Sequence, residues 1–111
     1  MIESTFRDFL EEKLNVSAYL EHEKNMPKEY IMIEKTGGSS SNFISSATIA
    51  IQSISSTMAK ASKLNEKVKA LLLLETPKSV SSCKLNSDYN FTDTETKQYR
   101  YQAVYDITHY E

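Results

Sequence analysis

The chain has 111 residues, 25% charged and 40% hydrophobic, with a formal net charge of −2, which suits one globular domain with a single core. That charge argues against generic nucleic-acid binding, which needs a basic footprint, and the longest apolar run, Ala70 to Leu74, is far short of the roughly 20 residues of a membrane-spanning helix. The single cysteine, Cys83, excludes an internal disulfide framework and fits a reducing compartment, and Met1-Ile2-Glu3-Ser4 lacks the basic-then-apolar pattern of a secretory signal.

Ser4 is a candidate helix cap, and Ile2, Phe6, Phe9, Leu10 and Leu14 recur at helical spacing, predicting a helix over roughly 4–14. A short, weak strand follows at Val16 to Leu20. Pro27 then leads into a strand, 29–35, with Ile31 and Ile33 on one face and Tyr30, Met32 and Glu34 on the other. The chain's two glycines, Gly37 and Gly38, come next. They read as a structural turn whose positive φ ends the strand, before a polar loop of Ser39, Ser40, Ser41 and Asn42. A further strand, about 46–54, sets Ala47, Ile49 and Ile51 opposite Thr48, Ala50 and Gln52, and its β-branched residues support it.

From Ser55 or Ser56 the period changes from two to 3.6. Met58, Ala61, Leu64, Val68, Leu71 and Leu72 form an apolar stripe, Lys60, Lys63 and Lys67 a basic one, and Pro77 stops the helix. Residues 80–91 and 98–109 are strand-like and flank the turn Thr92 to Thr96. In the last strand Tyr99, Tyr101, Ala103, Tyr105 and Ile107 share a face; in the strand before it Cys83, Leu85, Tyr89 and Phe91 do. Pairing these faces in antiparallel fashion sets Tyr89 opposite Tyr99, Leu85 opposite Ala103 and Cys83 opposite Tyr105. One apolar face per strand and one stripe per helix predict a single α+β domain over 1–111. Its form is a two-layer sandwich, two helices on one face of a largely antiparallel four- to five-stranded sheet, the other face polar.

Catalytic chemistry finds little footing. Cys83 needs a base within hydrogen-bond reach to act as a nucleophile. In the predicted register His109 lies about 13 Å further along the strand, and His22 sits in a charged loop with Glu21 and Glu23. Cys83 therefore reads as a small buried hydrophobe. No spacing of Cys and His suits a zinc site, no glycine-rich phosphate loop precedes a helix, and no Gly-x-Ser-x-Gly elbow is present. Neither an enzyme nor a metal or cofactor is expected. Tyr99, Tyr101 and Tyr105 beside Arg100 invite an RNA-stacking reading, but sharing a face with Ala103 and Ile107 predicts that they pack beneath the helices.

Charge is unevenly spread. Residues 1–35 carry eight acids against five bases, whereas 60–78 carries Lys60, Lys63, Lys67, Lys69 and Lys78 against Glu66 and Glu75. These are either two solvated faces or complementary patches on neighbouring subunits. On the second reading Lys60, Lys63 and Lys67 are the candidate subunit interface, and unpaired strand edges are further templates for a neighbour.

The proline-led run from Met26 to Gly38, the alternating strand Ala47-Thr48-Ile49-Ala50-Ile51-Gln52, the helix Ala59 to Leu74 and the strand opening Tyr99-Arg100-Tyr101-Gln102 occur in an order and spacing that resembles the tail-terminator and tail-completion proteins of long-tailed bacteriophages, often called minor capsid or tail-component proteins. The resemblance covers most of the chain. It implies a ring, six-fold in that family, that caps the finished tail tube, stops its polymerisation and offers a surface to head-completion (connector) proteins. It also implies a place in the virion at the head-proximal end of the tail, reached from the bacterial host cytoplasm during assembly. The partners implied are the chain itself, the tail tube protein and the connector, with no nucleic acid and no membrane. The family has no catalytic residues to transfer. The serine-rich loop carries less charge than a dedicated docking loop would. A head-completion (neck) protein and a non-phage cytoplasmic binding module, such as an RNA binder, are the other expectations.

Overall fold

Period-two alternation in the strands and period-3.6 stripes in the helices meet in two layers. The computed structural model describes residues 1–41 and 44–110. Its elements are α1 (Ile2–Leu14), β1 (Ala18–Tyr19), β2 (Tyr30–Ser41), β3 (Ile44–Ser55), α2 (Met58–Leu74), β4 (Val80–Asn90) and β5 (Tyr99–Tyr110). The strands form one sheet in the order β1-β2-β3-β5-β4. β1 runs parallel to β2, and the other neighbouring pairs are antiparallel. This is the α+β arrangement expected from the sequence. α2 carries the chain from β3 over to β4, and β5 returns between them. The strands run along the long dimension of a body measuring 44 × 26 × 25 Å.

The core lies between the helices and one sheet face. Phe6 and Leu10 of α1 and Leu64, Val68 and Leu72 of α2 meet Ile31 and Ile33, Ile49 and Ile51, and Tyr105 and Ile107. Tyr101 and Leu71, from the same stripes, are half-buried. α1 begins before the expected Ser4 cap: Met1 is the cap residue, and the Ser4 hydroxyl donates to its carbonyl at 2.9 Å. Asn15, with φ 53, ends the helix in the left-handed region that Asn tolerates better than most residues. Thr57 caps α2 by accepting from the Lys60 amide at 3.2 Å, and Pro77 follows the helix end as expected.

Gly37 and Gly38 are not a turn. Neither glycine has positive φ; both lie inside β2, which continues through the serines to Ser41, while Asn42 lies outside the described residues. The pair marks a β-bulge between Lys35 and Gly37, a placement glycine favours within strands. At Gly38 a Cβ would stand 2.9 Å from Lys35 Cε and 3.0 Å from the Ser46 carbonyl oxygen, so close packing accounts for that glycine.

The β4–β5 register also departs from expectation. Cys83 opposes Ile107 and Leu85 opposes Tyr105, two residues from the predicted pairs. A bulge between Leu85 and Ser87 then changes the phase, so that Tyr89 opposes Gln102 and Asp88 opposes Ala103. Asp88 thereby comes under α2, where its carboxylate accepts from Asn65 Nδ2 at 2.7 Å and Lys69 Nζ at 2.6 Å. Asn65 is almost fully buried, and this bond gives its Nδ2 group a partner, since burying a polar group without one is costly; its Oδ1 finds none among the described residues. Tyr89 turns to the helix-free face instead.

That second face is not uniformly polar. Tyr30, Ala50, Ile54, Gln52 and Gln102 are all buried on it. Gln52 Nε2 donates to Gln102 Oε1 at 2.8 Å, Gln102 Nε2 donates to the Tyr89 hydroxyl, and Gln98 Nε2 donates to the Tyr30 hydroxyl at 3.0 Å. Burial raises the Tyr30 phenol pKa.

Candidate functional site

Helical spacing sets Lys60, Lys63 and Lys67 in one row, on the outer surface of α2. All three are exposed, and among the described residues none forms an ion pair. Lys69, by contrast, is bound to Asp88 and, at 3.1 Å, to Glu66. The Asp88 hydrogen bond, with that of Glu66, raises its pKa. The row thus holds three free ammonium groups.

Toward the end of the helix exposed leucines take over, Leu74 continuing the lysine row seven residues on from Lys67 and Leu73 lying round the helix on the β4 side. Leu73 and Leu74 are 85% and 84% exposed. Leu73 overhangs a cleft of about 280 Å³ between α2 and β4, walled by Cys83, Leu85 and Tyr105. A run of four leucines is wider than the stripe one helix buries, and that is the sequence signal for these two residues. Sequence reasoning took the lysines and passed over the leucines.

The other end of the sheet has a different character. β1 pairs with only Ile31 and Met32 of β2, so the β2 edge beyond them borders α1 and the segment after β1. There Met1, Leu20 and Ile33 floor a second cleft of about 330 Å³, with Glu3, Glu21, Glu34 and Lys35 around it. Its acids come from α1, from the segment after β1 and from β2, three stretches distant in sequence. Counting the acids of residues 1–35 detects the excess but not its convergence. Among the described residues none of the three carboxylates forms an ion pair.

Catalytic groups are spread out. With the observed register His109 lies two residues beyond the position opposite Cys83, about 7 Å along the strand, closer than the sequence reading placed it. Burial pushes the Cys83 thiol up to about 11, which keeps it protonated at neutral pH, whereas the nucleophile is the thiolate. Tyr105 faces the helices, as predicted; its phenol pKa is raised by burial, and its hydroxyl finds no hydrogen-bond partner among the described residues. Among the described residues the exposed aromatics are Tyr89, Phe91 and Tyr110, 41%, 42% and 58% accessible. The Arg100 guanidinium lies 4.8 Å from the Phe91 ring centroid and donates to the Phe91 carbonyl at 2.7 Å. Among the described residues no group of three or more Cys, His, Asp or Glu side chains converges as metal ligands. No protein-family model matches the chain, and no curated protein matches it.

Proposed function

We propose that this chain is a structural virion-assembly protein of a long-tailed bacteriophage, a tail terminator. It caps the tail tube, ends its polymerisation and presents its far surface to the connector proteins of the head. Its partners on this reading are copies of itself, the tube protein and the connector, and it acts by association without cofactor or catalysis. The reading starts from the resemblance of the Met26–Gly38 run and the elements after it to that family. The observation that carries it is the separation of unlike charge on one small body: unpaired lysines along the outer surface of α2, which packs mainly on β3 and β5, and carboxylates around the cleft beside β2. A body with complementary, non-identical surfaces associates head to tail, and such an interface closes into a ring when the rotation per copy allows.

The test is assembly of the cognate tube protein with and without the purified chain, with tube lengths scored by electron microscopy. The expected outcome is shorter tubes with a ring at one end. Tube lengths that do not respond to the chain reject the terminator reading, and binding to the connector without an effect on tube length assigns the chain to the neck instead.

A further inference from the structure

Two exposed surfaces of this molecule are left without partners in the monomer, and they complement each other in both charge and polarity. The first is a ridge along α2, with Lys60, Lys63 and Lys67 in a row and Leu73 and Leu74 standing out beyond them. At helical rise, the leucines lie about 10 Å past Lys67. The second is the cleft beside β2, where Glu3, Glu21 and Glu34 stand around Met1, Leu20 and Ile33, with Lys35 and the Met1 amino group as the bases beside them.

We infer that the α2 ridge of one copy docks in the acid-rimmed cleft of a second copy, its leucines on the apolar floor and its lysines against the carboxylates. This deepens the self-association proposed above and rests on it, by naming the two surfaces that meet.

Position in the fold fixes the mode of contact. α2 packs on β3, β5 and β4, whereas α1 packs on β1 and β2, and these strands run from one edge of the sheet to the other. Ridge and cleft therefore lie on separate surfaces, the ridge on the helix above β3 and β5 and the cleft at the β2 edge. A two-fold contact of ridge on ridge sets lysine row against lysine row, and cleft on cleft sets carboxylates together; both juxtapositions repel. Only ridge on cleft matches opposite charge and covers the exposed leucines, and exposed apolar groups rimmed by polar ones are the mark of an interaction site.

Two charge-reversed proteins test the contact. One carries Lys60→Glu, Lys63→Glu and Lys67→Glu; the other carries Glu3→Lys, Glu21→Lys and Glu34→Lys. All six side chains lie at the surface or its margin and outside the hydrophobic core, and circular dichroism verifies that both variants fold. Analytical ultracentrifugation at low salt is expected to show assembly of the wild type and monomers for each variant alone. An equimolar mixture of the two variants is expected to assemble again, because each mutant surface finds its complement on the other protein. Substituting Leu73→Asp and Leu74→Asp in the wild type is expected to abolish assembly as well. Assembly of either charge variant alone at wild-type strength, failure of the mixture, or a wild type that stays monomeric at the highest attainable concentration overturns the inference. Capping of tubes by both charge variants overturns this contact and leaves the terminator reading standing. Assembly through this contact with no effect on tube length does the reverse.

Discussion

Single residues show where local chemistry and local backbone part company. Gly37 and Gly38 look alike in sequence yet have different reasons to be glycine. A Cβ at Gly37 meets nothing within 4 Å, so Gly37→Ala is expected to be neutral or to stabilise by up to about 1 kcal/mol through the unfolded chain. At Gly38 the Cβ presses on the backbone oxygen of Ser46 and on Lys35, and Gly38→Ala is expected to cost about 1–3 kcal/mol as overpacking. Urea midpoints of the two variants compare them directly, and equal midpoints would refute the distinction. Cys83 supplies a pH dependence. Its thiol pKa is raised from 9.0 to about 11 by burial, so the fold favours the neutral thiol. That stabilisation is complete below the unfolded pKa and is lost as pH rises through the folded one. Alkylation of the folded protein should be slow at neutral pH and its rate should keep climbing beyond pH 9.0 toward about 11, whereas in urea it levels off near the ordinary thiol pKa. Equal rates in the folded and unfolded protein at neutral pH would contradict the burial.

At the scale of elements, the bulge in β4 couples strand to helix. By shifting phase between Leu85 and Ser87 it brings Asp88 beneath α2 to meet Asn65 and Lys69. Asp88→Ala leaves the Asn65 amide without this acceptor in the interior, and a loss of about 1–3 kcal/mol is expected, read from thermal or urea unfolding; an unchanged midpoint would show the bond to be idle. The bulge also marks the limit of what was legible in the chain. The two-layer sandwich follows from periodicity: Ile49, Ile51, Tyr105 and Ile107 alternate cleanly, and Leu64, Val68 and Leu72 recur at helical spacing. A bulge leaves no such trace, because one extra residue breaks the alternation only after its own position, and what favours it lies on another element. Hence the Tyr89 pairing changed phase, and β2 was ended at glycines that it passes through, while Cys83 and Leu85 kept their face and slid two residues along β5. Of the candidate interface, the lysine row was readable because it lies on one helix. The opposing cleft was not, because it gathers Glu3, Glu21 and Glu34 from separate segments.

The whole molecule, with ridge and cleft on separate surfaces, predicts a particular response to salt. Three exposed ion pairs contribute roughly 0.2–1 kcal/mol each at low ionic strength, and they are largely screened near 1 M, where the Debye length is about 3 Å. Self-association measured by sedimentation equilibrium is expected to weaken by roughly three- to a hundred-fold over that range without vanishing, since Leu73 and Leu74 supply an apolar part that salt does not screen. A dissociation constant indifferent to salt would place the contact elsewhere. On the proposed self-association, the β4 edge bears on how many copies join. It is an eleven-residue strand at the margin of the sheet, a length that in flat form would recruit strand after strand without a count. Its two phase changes, after Val80 and after Leu85, together with Lys84 between them, spoil that template, because a straight neighbour falls out of step within a few residues and bulges and edge lysines discourage pairing. Growth by endless sheet extension is thereby closed off, and copy number is left to the angle at which one rigid body meets the next. On the proposed reading, a molecule whose task is to end a polymer is thus itself made poor at starting one.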